Sequence, residues 1–190
     1  MTRAFPILVL SSLALGACVN STQMLATWKD PSAQPLAPRR TVAVFMSKEA
    51  GIRRMVEDKL AAKLPGGVAS YKILSDSELT TVEDTRAKLV DAGFDAAVVM
   101  RLIGTTAEVK EVGYQRDFAG YWGYWGTAYD PAYYSTETLY SVESTLYSLQ
   151  SGKMVWMGRS QTTDPKNSNK LADYSVNFAI KNMEKSGVLR

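Results

Sequence analysis

The spacing of apolar and polar residues predicts secondary structure from residue 41 onward. Residues 41–46 (TVAVFM) are a continuous apolar run of strand length, which is typical of a strand covered on both faces. Ser47 is a candidate cap for a helix over residues 48–64, and the run PGG at residues 65–67 ends it. Apolar residues recur along this helix at spacings of three and four and form one stripe: Ile52, Met55, Val56, Leu60 and Leu64.

A second strand and helix follow. Residues 68–74 read as a strand, and Thr81 with Asp84 has the spacing of a capping box, in which each side chain satisfies a free backbone amide. The helix that this box opens extends to residue 92 and ends at Gly93, which can take the left-handed conformation of a helix end.

The last part of the chain predicts a long strand, a hairpin and a helix. Residues 96–112 are apolar at first and alternating later, which predicts a strand whose second half projects beyond the helices. Residues 135–149 and 153–163 alternate around a tight turn and predict an antiparallel hairpin. Asn167 or Ser168 can cap a final helix over residues 170–185.

These elements predict one α/β domain over residues 41–190. Their order is β-α-β-α-β-β-β-α, in which helical crossovers join the early strands and hairpins join the late ones. We therefore expect a mixed sheet of about five strands flanked by helices.

The first 17 residues predict a secretory signal peptide. Arg3 gives one positive charge, and residues 4–15 (AFPILVLSSLAL) are apolar and uncharged. A transmembrane helix needs about 20 apolar residues, so this run is too short to span a bilayer.

The signal ends in Leu15-Gly16-Ala17-Cys18, which resembles the lipobox of bacterial lipoproteins, and Cys18 is the only cysteine of the chain. The resemblance implies that Cys18 is the mature N-terminus and carries a diacylglyceryl group and an acylated amine, with fatty acyl groups such as palmitate. The partner that this implies is a membrane. Val19 stands where an aspartate would resemble the inner-membrane retention signal, which favours the outer membrane, facing the periplasm.

Residues 18–40 are rich in proline and small polar residues and predict a lipidated, flexible tether. A strand-like patch covers residues 24–28, and we expect Trp28 to pack back on the domain.

Two further stretches carry a family resemblance. The run TVAVFMS at residues 41–47 and the hairpin SLQSGKMVWMGRSQT at residues 148–162 resemble a class of small, mostly uncharacterised bacterial envelope lipoproteins. The order of elements is loosely similar to the periplasmic domains of the penicillin-binding-protein activator lipoproteins and of the curli secretion lipoprotein. This second similarity is at the level of the fold and implies no functional residue.

Charge and composition argue against several functions. The whole chain has 22 basic and 19 acidic residues, and removal of Arg3 with the signal leaves a nearly neutral mature chain without a basic stripe. We therefore expect no nucleic-acid partner. Since the chain has no histidine and its cysteine is lipidated, the common metal, haem and Ser/His or Cys/His sites have no ligands or base. We expect no metal, no cofactor and no enzymatic activity. The pairs Asp76 with Glu78 and Asp117 with Asp130 could in principle act as acid and base in sugar hydrolysis, but we expect them to be solvated carboxylates in turns.

The most unusual stretch is a glycine-rich aromatic segment at residues 113–134. Glycine falls at every third position in GYWGYWG (residues 120–126), and the candidate contact residues are Tyr121, Trp122, Tyr124 and Trp125. Three interpretations remain open. The rings cover the open end of the sheet, or they lie at the membrane interface, or they form a stacking platform for a glycan strand or a partner protein.

Together these features predict a membrane-anchored envelope lipoprotein with a non-catalytic domain that binds another envelope component or assists assembly. The expected partner is an envelope protein or peptidoglycan. The alternative is an oligomeric secretion or structural component associated with the outer membrane, which makes a homo-oligomer possible.

Overall fold

The computed structural model of the chain describes residues 22–75, 82–112 and 133–190. The strands are β1 (Thr22–Lys29), β2 (Thr41–Met46), β3 (Gly67–Ala69), β4 (Ala96–Val112), β5 (Tyr133–Ser148) and β6 (Met154–Thr163). The helices are α1 (Ala50–Ala61), α2 (Val82–Asp91) and α3 (Ser168–Lys185), and a short 3₁₀ turn, Ser70–Lys72, follows β3. The strands form one sheet in the order β1-β6-β5-β4-β2-β3.

The sheet confirms the predicted mixed α/β fold. Strands β2, β3 and β4 pair in parallel, as expected where helices α1 and α2 connect them, and the remaining pairs are antiparallel. From residue 41 onward the order of elements is the predicted one. The sheet has six strands rather than about five because β1 adds an outer strand to β6.

Strand β1 differs from the flexible tether that the sequence predicted for residues 18–40. Thr22 lies opposite Thr162 and Lys29 opposite Trp156, so residues 22–29 are part of the sheet. Beyond the strand, the amide of Leu36 donates a hydrogen bond of 2.8 Å to the carbonyl of Val188. The backbone groups at the outer edge of β6 need partners, and residues 22–29 supply them.

The two faces of the sheet carry different helices. Helices α1 and α3 cover one face over a core that includes Val98, Met100 and the almost fully buried Trp156. Helix α2 covers the other face at the β2 and β4 end, over a smaller cluster that includes Leu89 and Phe94. None of the described helices combines the length and the apolar character that a membrane-spanning helix requires.

Two helix ends agree with the sequence, whereas α1 is shorter than the predicted helix over residues 48–64 and ends at Ala61. Gly93 ends α2 at a φ of 80°, and the side chain of Asn167 accepts a hydrogen bond from the Lys170 amide at the start of α3, both as predicted. Helix α1 begins after Glu49 rather than after Ser47, and the Ser47 hydroxyl accepts a hydrogen bond from the Glu49 amide. Thr81 of the predicted capping box lies outside the described residues.

Glu57 is a fully buried carboxylate that fixes α1 to the sheet. Its Oε1 accepts hydrogen bonds from the Phe45 amide at 3.1 Å, the Arg53 Nε at 3.1 Å and the Ser70 hydroxyl at 2.8 Å. Its Oε2 accepts one from the Tyr71 amide at 3.0 Å. One side chain therefore links α1, β2 and the turn after β3, and this turn ends β3 earlier than the predicted residue 74.

Strands β4 and β5 continue beyond the helices as a two-stranded arm, which we define as residues 107–112 and 133–138. Strand β6 reaches β5 only as far as Leu139, so the arm strands pair with each other and with no other strand of the described chain. Ala107, Glu108 and Val109 are exposed on it. The sequence correctly predicted that β4 projects beyond the helices.

Candidate functional site

An apolar pocket lies at the carboxyl ends of the neighbouring parallel strands β2 and β4. It is a cavity of about 250 Å³ between the first turns of α1 and α3. We call it the strand-end pocket, and its apolar walls are formed by Phe45, Ile52, Val56, Met100, Val142 and Leu171. Ligands of α/β sheets commonly bind outside the carboxyl ends of the strands, because connecting loops diverge there and leave a crevice.

Two large apolar side chains lie exposed at this pocket. Met46, the last residue of β2, is 61% exposed, and Leu102 on the adjoining strand β4 is 44% exposed. Both belong to its lining. A single exposed apolar residue is common on protein surfaces, but a pair beside an apolar cavity is typical of a contact surface.

Ser175 gives the pocket one unsatisfied polar group. This residue of α3 lines the cavity and is only 3% exposed, and its hydroxyl has no hydrogen-bond partner among the described residues. Leaving a buried hydroxyl unpaired costs about 1–3 kcal/mol. An occupant with a polar atom at the right position would recover that cost.

A second apolar groove lies between α2 and the sheet. It has a volume of about 500 Å³, with Val42, Leu89 and Tyr147 in its walls. Arg86 borders it and donates hydrogen bonds to the carbonyls of Leu149 and Gln150 at 2.7 and 2.6 Å. Residues 76–81, which are close in sequence to Leu74 of the groove wall, lie outside the described part, whereas every wall of the strand-end pocket is described.

The face of the sheet opposite α1 and α3 carries a row of charges. Glu143 lies between Arg101 and Arg159, with N to O distances of 2.6 and 3.2 Å. Partial burial acts to raise the pKa of Glu143, but hydrogen bonds from the two guanidinium groups lower it more, so the pKa lies below the ordinary 4.5.

This shift predicts a pH dependence of stability. A carboxyl whose pKa is depressed by folding adds stability above its unfolded pKa, and this contribution is lost as the pH falls through the folded pKa. We expect the free energy of unfolding of Glu143→Gln to change less steeply with pH below about 4.5 than that of the wild type. Urea denaturation over a pH series measures this, and parallel curves for both proteins would contradict it.

The predicted site residues lie outside the described residues. This applies to Cys18, to Tyr121, Trp122, Tyr124 and Trp125, and to the acidic pairs Asp76 with Glu78 and Asp117 with Asp130. In the described part of the chain, no group of three or more acidic or cysteine side chains is placed to hold a metal ion.

The described residues nevertheless show where the N-terminal segment joins the domain. Thr22 lies opposite Thr162 with 3.0 Å between their hydroxyl oxygens, and Thr162 lies opposite Tyr140, which lines the strand-end pocket. Since neighbouring strands are about 4.8 Å apart, Thr22 is about 10 Å from Tyr140. The chain therefore enters the sheet beside the pocket, at the end from which the arm also projects.

Sequence reasoning missed the strand-end pocket. Met46 and Leu102 lie in apolar runs that predicted covered strands, and Ser175 is one of several polar residues in a helix. The signal that could have found the site is the sheet topology, which places the ends of β2 and β4 side by side.

No protein-family model and no curated protein sequence matches the chain. Among solved structures, the chain is similar to the PelC dodecamer from Paraburkholderia phytofirmans, with 11% identity over 80% of this chain and 89% of that chain and a TM-score of 0.44. It is also similar to lipoprotein GNA1162 from Neisseria meningitidis, with 15% identity, 77% and 99% coverage and a TM-score of 0.39. A minor lipoprotein from Acinetobacter baumannii shows 12% identity, 76% and 94% coverage and a TM-score of 0.27. At these values the similarity brings no residue role, ligand or partner to this chain.

Proposed function

We propose that the chain is a membrane-anchored envelope lipoprotein whose domain binds another envelope component through the strand-end pocket. The observation that carries this proposal is the position of the pocket. It lies at the end of the sheet where Thr22 enters, and Met46 and Leu102 leave apolar surface exposed there. Apolar surface of this kind is stabilised when a partner covers it.

Lipidation of Cys18 would hold this end of the domain close to the bilayer. Thr22 follows Cys18 by four positions, and an extended chain spans at most about 14 Å over that length. Two or more acyl chains anchor a protein stably, whereas one chain binds reversibly. The proposed location is the periplasmic side of the outer membrane. This location is favoured because Val19 stands where an aspartate would resemble the inner-membrane retention signal.

A binding role is favoured over a catalytic one by the chemistry of the pocket. A nucleophilic serine needs a general base within hydrogen-bond distance, and the Ser175 hydroxyl has no partner among the described residues. Glu57 already accepts four hydrogen bonds from the domain itself. An apolar cavity also suits a protein side chain better than the polar surface of peptidoglycan, so we propose an envelope protein as the partner.

Cys18→Ser tests the anchor. We expect the wild-type protein in the membrane fraction and nearly all of the variant in the soluble fraction, because the variant lacks the thiol that carries the diacylglyceryl group. Ser21→Ala is the matched control and should remain in the membrane fraction. Continued membrane association of Cys18→Ser, or an unlipidated N-terminal peptide in the mass spectrum of the wild type, would contradict the proposal.

The arm favours a second candidate function, an oligomeric component associated with the outer membrane. Its two strands extend past the helices without other strand partners in the described chain. An isolated two-stranded hairpin is marginally stable in water, so contacts with a neighbouring molecule would stabilise it.

A further inference from the structure

We propose that the strand-end pocket binds a tyrosine or tryptophan side chain from residues 113–132 of a second copy of this chain. The inference rests on the binding role proposed for the pocket and names its partner. It follows from the chemistry of the cavity, from the composition of the segment, and from the length of the arm that carries the segment.

The cavity suits one aromatic side chain with a polar tip. Most of its lining residues are apolar, while Ser175 supplies a buried hydroxyl without a partner among the described residues. Tyrosine and tryptophan combine an apolar ring with one hydrogen-bonding group. The volume of about 250 Å³ is slightly below the range of about 300–1,000 Å³ typical of sites for small-molecule ligands.

The surroundings of the pocket suit an anchoring contact between proteins. Met46 and Leu102 can pack around an inserted ring and exclude water from it. Binding energy at interfaces concentrates in such places, where an aromatic residue fills a desolvated pocket.

The segment between the arm strands supplies the aromatic residues. Residues 113–132 contain seven of them: Tyr114, Phe118, Tyr121, Trp122, Tyr124, Trp125 and Tyr129. The glycines between them lack a Cβ and permit close approach of the backbone to a partner surface.

The length of the arm favours a second copy over the same molecule. Val112 lies ten residues beyond Leu102 on β4, which places it about 34 Å from the pocket if the strand is straight. The segment is 20 residues long and is attached to the arm at both ends. Its middle can therefore be about 33–36 Å from Val112 only if both halves are fully extended. The segment would have to be stretched in this way to reach the pocket of its own molecule. A neighbouring copy has no such restriction, and anchors in one membrane would keep copies near each other.

The resulting contact joins two different surfaces, the pocket of one copy and the segment of the next. Such a heterologous contact produces a ring if the rotation between copies closes, and a filament if it does not.

The test is the mass of the particle formed by the soluble chain, Cys18→Ser, measured by size-exclusion chromatography with light scattering. We expect an oligomer. Leu102→Lys places a charge at the pocket and should yield monomers, whereas Val90→Lys, on the exposed side of α2, should leave the oligomer intact. Because both positions are exposed, both variants should keep the thermal stability of the parent. A monomeric parent, or an oligomer that resists Leu102→Lys, would overturn the inference.

Mixing two assembly-deficient variants shows whether the contact forms between molecules. Replacement of every tyrosine and tryptophan of the segment by alanine removes all candidate occupants, and Leu102→Lys blocks the pocket. The replaced residues are Tyr114, Tyr121, Trp122, Tyr124, Trp125 and Tyr129. Each protein should be monomeric alone, and the mixture should form dimers in a ratio of one to one, because one intact pocket and one intact segment remain. Absence of heterodimers with normal folding of both variants would overturn the inference.

Ser175→Ala tests the polar tip of the occupant. Its buried hydroxyl has no partner within the described domain, so its removal should not lower thermal stability. We expect the dissociation constant of the oligomer to rise about tenfold, the effect of one lost hydrogen bond. An unchanged constant would mean that the occupant makes no bond to Ser175 and would contradict the proposed aromatic side chain.

Failure of this inference can be distinguished from failure of the proposed function. A soluble chain that stays monomeric but captures a different envelope protein, and loses it on Leu102→Lys, overturns the second copy as partner and retains the binding role. If Leu102→Lys alters neither self-assembly nor capture, both are overturned.

Discussion

Glu57→Ala is expected to lower the free energy of unfolding by about 3–5 kcal/mol, the range for breaking a buried, hydrogen-bonded charge pair. The carboxylate is fully buried and accepts hydrogen bonds from Arg53, Ser70 and the amides of Phe45 and Tyr71. Alanine leaves these donors without their acceptor in a site closed to water. Urea denaturation of the soluble Cys18→Ser chain, with and without the second substitution, measures the difference.

Asp58 provides a matched control on the same helix. Its carboxylate accepts hydrogen bonds from the Tyr71 hydroxyl and the Lys72 Nζ, but it is exposed. Exposed pairs of this kind contribute about 0–1 kcal/mol, so Asp58→Ala should have a small effect. Glu57→Gln keeps the shape of the side chain. Its decrease in the free energy of unfolding should lie between those of Glu57→Ala and Asp58→Ala. Equal effects of Glu57→Ala and Asp58→Ala would contradict the structural role of Glu57.

The fold from residue 41 onward could be predicted because its hydrophobic pattern and its packing agree. The apolar stripe of α1 contains the buried residues Val56 and Leu60, and Leu64, which was predicted as part of the helix, is buried just beyond its end. Gly93 and Asn167 have the conformations that helix ends require. Local preference and tertiary packing favour the same structure in these elements.

Strand β1 was predicted only as a strand-like patch at residues 24–28 because it is an outer strand with little burial. Met24 packs against the core, but Leu25 and Trp28 are 48% and 42% exposed. A strand with so few buried residues lacks the alternation that identifies a half-buried strand. Trp28 was expected to pack back on the domain, and its exposure differs from that expectation.

The role of Glu57 was also hidden in the sequence. A glutamate beside apolar residues in a helix reads as part of the solvated face, and its partners Phe45 and Tyr71 are 12 and 14 residues away along the chain. The strand-end pocket depends in the same way on contacts between distant elements. Sequence reasoning identified the aromatic segment and Cys18 from composition, and the topology of the described residues adds a pocket at the end of the sheet where both are attached.

Several features of the molecule meet at one end of the sheet. Thr22 enters the sheet beside the pocket, the arm projects from the same end, and Met46 and Leu102 are exposed there. A lipid on Cys18 would bring all of these features close to the membrane. The pocket would then meet its partner at or near the bilayer surface.

A photo-crosslinking amino acid at position 102 would detect a partner bound at the strand-end pocket. The chain with benzoylphenylalanine in place of Leu102, and otherwise unchanged, is irradiated in intact cells. The adducts are separated by mass and identified by mass spectrometry. We expect a discrete protein adduct from position 102, because the side chain lies at the pocket that the partner covers. The same probe at position 90, which is exposed on α2, is the control and should give none. No adduct from position 102, or the same adducts from both positions, would contradict binding at the strand-end pocket.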